Sequence, residues 1–158
     1  MSSFLKDLRD AQVAALASFP LLNGEAIISR QVGDIQSAID QALNANLGRC
    51  IVVFTPVIKK IENGARGPFF REVLCRIKCM ENPLLNTAPL APDAETLAEY
   101  VFQALHLQQF DLPGCETNPL TCASPATEDE GLHAGTLREI DCLFETSGGL
   151  DETPDLSN

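Results

Sequence analysis

Two long runs of strand-forming residues, Cys50–Ile61 and Phe69–Met80, flank Glu62-Asn63-Gly64-Ala65-Arg66-Gly67-Pro68. Asn-Gly is a strong hairpin-turn signal, and Gly67-Pro68 adds a second break. A β-hairpin this long commits the chain to an antiparallel sheet that needs a cover. In the return arm, Val73, Cys75, Ile77 and Cys79 alternate with Glu72, Arg76 and Lys78, which predicts one buried and one exposed face. In the first arm, which starts at Arg49, both faces are apolar at the beginning: Val52 and Phe54 on one, Ile51 and Val53 on the other. That pattern predicts burial on two sides. Pro56 cannot donate to a strand ladder, so it implies an edge or a bulge at that point.

The rest of the chain supplies the cover. Ser2 or Ser3 caps a first helix with Leu5, Leu8, Gln12, Ala15, Leu16 and Phe19 at helical spacing, stopped by Pro20. Ala26–Arg30 reads as a short strand. Asp34 caps a second helix with the stripe Ile35, Ala38, Ile39, Ala42 and Leu43, and Gly48 stands where a terminating glycine belongs. After a proline-punctuated linker, Pro83 to Pro92, Asp93 caps a third helix along Leu97, Val101, Ala104 and Leu105, with good helix formers to Gln108. Gly114–Thr136 has no periodicity and predicts a mobile loop. Leu137–Phe144 reads as a closing strand and residues 147–158 as a flexible acidic tail. The expectation is one α+β domain over residues 1–146, with a mainly antiparallel sheet, a long β-hairpin and three helices packed on one face.

Charge narrows the partners. With a net charge of −11, the chain repels nucleic-acid backbones and anionic lipid. No apolar run approaches the roughly 20 residues of a membrane span. The start of the sequence lacks the apolar stretch of an export signal, so the expected place is the cytoplasm, or a larger particle assembled there. Lys59, Lys60, Arg66, Arg71, Arg76 and Lys78, six of the 11 basic residues, fall in the hairpin. The acids gather in the last third, from Glu128 to Asp155.

Catalytic patterns are missing. There is no nucleophile elbow, phosphate loop or dinucleotide fingerprint. The two histidines, His106 and His133, have no cysteine or aspartate at a ligand spacing. The six cysteines, Cys50, Cys75, Cys79, Cys115, Cys122 and Cys142, show no Cys-x-x-Cys pair of the kind that marks zinc sites. Cys75, Cys79 and Cys142 fall on core faces and read as small hydrophobes. Cys115 and Cys122, in the predicted loop, are the pair best placed for oxidation. No catalytic residue, cofactor or metal is expected.

The element order carries a resemblance. An N-terminal amphipathic helix, the hairpin Cys50–Ile61 and Phe69–Met80, the helix Asp93–Leu107 and the closing strand Leu137–Phe144 resemble the tail terminator and tail completion proteins of long-tailed bacteriophages, among the minor tail and neck proteins. The helix Asp34–Leu47 departs from that order, which leaves a neck or connector protein open. The resemblance implies a structural virion protein made in the host cytoplasm and without enzymatic activity. It implies a ring of copies of the chain, commonly a hexamer, that caps the tail tube and meets the head–tail connector proteins. The hairpin-tip cations Lys59, Lys60, Arg66 and Arg71 are the candidate oligomer contacts, facing the acidic last third of a neighbour. The alternative is a cytosolic protein-binding adaptor domain.

Overall fold

The structure, a computed structural model, describes residues 3–29, 34–64, 67–123, 127–130 and 137–150. The chain runs α1 (Phe4–Ser18), a 3-10 turn (Pro20–Leu22), β1 (Ile27–Ser29), α2 (Ile35–Ala45), β2 (Arg49–Val53), β3 (Val57–Gly64), β4 (Gly67–Glu81), α3 (Ala94–Leu105), β5 (Cys115–Thr117), β6 (Thr121–Cys122), β7 (Thr127–Glu130) and β8 (Arg138–Leu150). This is an α+β fold.

One mixed, mostly antiparallel sheet of eight strands organises it. The 15-residue β4 and the 13-residue β8 lie side by side at its centre, from Phe69↔Gly149 to Glu81↔Arg138. On the other edge of β4, β2 and β3 follow each other end to end. On the other edge of β8, β5, β6 and β7 do the same. β1 joins β2 in parallel.

The alternation in β4 sets the layers. Val73, Cys75, Ile77 and Cys79 are buried, and they meet Ile140, Cys142 and Phe144 of β8 in one core. α1 and α3 close that core with Leu8, Leu16, Leu97, Val101 and Leu105. The polar interruption of α1, Gln12, is buried there, and its Nε2 donates to the Leu8 carbonyl at 3.1 Å.

Four sequence expectations need correction. First, the helices divide between the faces. Ile39 and Leu43 of α2 pack with Cys50, Val52 and Met80, on the face opposite Ile51 and Val53. The parallel pairing of β1 and β2 explains this, because parallel neighbours need a crossover and α2 is that crossover. The two-sided burial expected of the first arm is therefore real. Second, that arm is two strands. After Val53↔Ile77 the next pair is Val57↔Leu74, so four steps on one strand face three on the other. Pro56, with no N–H to give, sits in the extra length.

Third, much of Gly114–Thr136 is ordered as β5, β6 and β7 along β8. These strands are two to four residues long, too short to show an alternation. Fourth, the closing strand continues past Phe144 through Ser147, Gly148 and Gly149 to Leu150. A Cβ on Gly148 would stand 2.5 Å from the Glu116 carbonyl oxygen and 3.0 Å from the Phe4 ring. Glycine in this strand permits a close approach. Two of the three helix caps match the sequence: the Asp34 and Asp93 carboxylates accept from the amides of Ser37 at 3.1 Å and Thr96 at 2.8 Å, whereas Ser3 holds the N-cap position of α1 without a side-chain cap bond.

Candidate assembly surface

β3 and the start of β4 form the arm that carries the expected contacts. Lys59 and Lys60 are exposed on β3 and make no ion pair among the described residues. Arg71 is engaged within the arm, with Nη1 3.2 Å from Glu62 Oε2. Both partners are about half exposed, so the pair contributes little, roughly 0–1 kcal/mol. Arg66 lies outside the described residues. β3 pairs only with β4, so its outer edge has no strand neighbour among the described residues. The register slips on either side of Lys60. Lysines and bulges are common protection of an edge strand against strand addition.

Further along β4, much of the charge segregation is used within the chain. Arg76 Nε lies 3.1 Å from Asp141 Oδ1, and its guanidinium sits 4.6 Å over the Phe54 ring. Lys78 Nζ lies 3.2 Å from Glu139 Oε2. The register of β4 against β8 brings these bases and acids together. The sheet face beside α2 is thus a ladder of ion pairs, not an apolar plate.

The opposite end of the sheet holds a feature that sequence reasoning missed. Arg49 Nε lies between Glu25 Oε1 and Oε2 at 3.2 and 3.1 Å, and both side chains are nearly buried. Arg49 Nη1 donates to Asn86 Oδ1 at 2.9 Å, and Asn86 Nδ2 donates to Glu81 Oε2 at 2.6 Å. Glu81 Oε1 accepts from the Ala94 amide at 3.3 Å and lies 3.5 Å from Arg138, which also reaches Glu95 at 2.7 Å. Through Asn86 this network ties the loop of residues 82–92 to Arg49 of β2 and Glu81 of β4. From that loop Leu84 is 73% exposed and Leu90 fully so, and Leu47, just after α2, is exposed as well. Leu47 and Leu90 both hold left-handed backbone, at φ 51° and 65°. The available signal was a run from Asn82 to Pro92 with three leucines and no charge.

The cysteines separate by burial. Cys50, Cys75, Cys79 and Cys142 are buried, Cys115 is partly so, and Cys122 is exposed. Burial pushes the Cys50 and Cys75 thiols up to about 12. Cys79 is held well up, first by its hydrogen bond with Cys142 and then by burial. The expected pairing of Cys115 with Cys122 fails. Cys115 stands opposite Leu150 and Cys122 opposite Phe144, six residues apart on β8. That is roughly 20 Å along a strand, against the ~7 Å Cα separation a disulfide tolerates. His106 proves to have a cysteine neighbour after all, with Nδ1 3.5 Å from Cys122 Sγ. His133 lies outside the described residues. Among the described residues no group of three or more His, Cys, Asp or Glu side chains could hold a metal. An open groove of about 500 Å³ between Gln109–Asp111 and Cys115–Asn118 is lined by the carboxylates of Asp111 and Glu116 and the thiol of Cys115. No helix among the described residues is long and apolar enough to cross a membrane.

No family model and no curated protein matches the sequence. Among solved structures, the fold has a counterpart. It is similar to a chain from the virion of a native gene transfer agent particle. The two superpose with a TM-score of 0.66 over 93% of this chain and 98% of that one. At 14% identity the likeness is one of fold, extending over nearly the whole of both chains.

Proposed function

We propose that this chain is a structural protein of a phage-like virion, acting as a ring of identical subunits at the end of a tail tube, where it caps the tube or joins it to the head connector. The observation that carries the reading is the shared fold with a chain of the gene transfer agent virion across 93% of this chain. The element order that resembles tail terminator and tail completion proteins supports the position within the particle. In this reading the chain is made in the host cytoplasm, ends in the virion and has no catalytic role.

A ring built from one subunit uses a heterologous contact, in which one patch meets a different patch on the next copy. The arm suits one side of such a contact. Lys59 and Lys60 are cations without an ion-pair partner among the described residues, on a subunit of net charge −11, so they are drawn to the acidic surface of a neighbour.

The test is light scattering coupled to size-exclusion chromatography, on the chain alone and with purified tail tube protein, followed by electron microscopy of any complex. The expected result is a closed oligomer that sits on tube ends. A chain that stays monomeric in both conditions overturns the reading and favours the protein-binding adaptor.

A further inference from the structure

We propose that Cys122 is a thiol-modification site: the one cysteine of this chain that exchanges readily with low-molecular-weight disulfides of the glutathione type, with His106 as the group that takes its proton. The case rests on geometry and is independent of the assembly reading.

Two elements meet at this point. α3 ends at Leu105, and the His106 amide still donates to the Phe102 carbonyl at 2.9 Å. Leu107 then takes left-handed backbone, φ 64°, and turns the chain. Its amide donates to the Leu120 carbonyl at 2.7 Å, and the Leu120 amide donates to the Gln108 carbonyl at 2.8 Å. The helix end is thereby clamped to the residue before β6. On the far side Cys122 lies opposite Phe144, and the Ala123 amide donates to the Leu143 carbonyl at 2.9 Å. With both backbones fixed, the imidazole and the thiol are held side by side at 3.5 Å, and both side chains are open to solvent.

Each other cysteine lacks part of this arrangement. Cys50, Cys75, Cys79 and Cys142 are enclosed in the two cores, and Cys115 is partly covered. Cys115, the other cysteine outside the cores, is out of disulfide reach of Cys122. An exposed thiol with a proton acceptor beside it reacts with disulfides supplied from outside.

The chemistry balances without a further reagent. The Cys122 proton passes to His106 Nδ1. The sulfur attacks one sulfur of the small disulfide, the old S–S bond breaks and a new one forms to Cys122. The departing thiolate carries the electron pair and takes up the proton from the imidazolium. Cys122 is oxidised to a mixed disulfide as half of the incoming disulfide is reduced.

The experiment uses the full chain with excess oxidised glutathione near neutral pH, acid quench at timed intervals, intact mass and peptide mapping. The expected first adduct is a single glutathione on Cys122, removed by dithiothreitol and absent in Cys122→Ser. His106→Gln slows its formation on the order of tenfold. Both positions are exposed, so both variants keep the wild-type circular dichroism and melting temperature. In guanidinium the His106→Gln effect disappears, because only the fold brings the two groups together. A first adduct on any other cysteine, or an unchanged rate in His106→Gln, overturns the proposal.

Discussion

At the residue scale, the aspartate caps were legible because capping is local chemistry. Asp93 accepts from an amide three residues away, and that bond holds its carboxyl below the ordinary carboxylate range. The sign follows from linkage. A depressed folded value means that the cap contributes in full above the ordinary pKa of about 3.9 and fades as pH falls through the lowered folded value. Asp93→Ala is expected to cost about 1 kcal/mol at pH 7, a difference that narrows below about pH 4 in urea titrations across pH. The turn after α2 was only half legible. Gly48 was expected to be the left-handed residue, yet Leu47 precedes it there, at φ 51°. Gly48 itself, at φ 92°, leaves 2.8 Å between a notional Cβ and both Asn82 O and Asn86 N. Gly48→Ala should therefore cost about 2–3 kcal/mol, read as a lower urea midpoint with an unchanged slope. The partners of Gly48 stand more than thirty positions along the chain, a distance no local pattern reveals.

At the element scale, sequence pattern served best where elements are long. β4 alternates over seven residues, and its four core positions from Val73 to Cys79 were readable. It served poorly for β5, β6 and β7, whose order comes from β8 and not from their own residues. The side of the sheet that α2 covers was also hidden, because it depends on β1 running parallel to β2. The far end of β8 does not read as strand in the sequence because Gly148 and Gly149 weaken a strand pattern. Their absence of side chains is what lets β5, Phe4 and Phe69 approach. A chain ending at Thr146 removes the partners of all three β5 residues. Its melting temperature should fall by about 5 °C or more, measured by calorimetry. Gly148→Ala, which must push against the Glu116 backbone, should lose about 1–3 kcal/mol by chemical denaturation.

At the scale of the whole molecule, the charge split visible in the sequence has two fates. Arg76 and Lys78 meet Asp141 and Glu139 inside the chain, while Lys59 and Lys60 make no ion pair among the described residues. In the ring reading, Lys59→Glu with Lys60→Glu should lower the oligomer fraction at least about tenfold at low salt and flatten its salt dependence. The stability of the subunit itself should stay within about 0.5 kcal/mol, as expected of exposed positions. An oligomer unchanged in light scattering would remove these two lysines from the contact. The candidate arm was thus legible in the sequence, whereas the leucine-bearing loop was not. That loop is held by Glu25, Arg49, Glu81 and Arg138, which the chain brings together from 24 to 57 positions apart.

β8 lies in the middle of the sheet, yet it is made after every strand it pairs with. During synthesis, the long flank of β4 and the inner flanks of β5, β6 and β7 therefore wait with their backbone groups open until this last strand leaves the ribosome. The nascent chain is stalled one element short of closure, and the vulnerable interval for misassociation is set by translation time over residues 82–150 and not by the intrinsic folding rate.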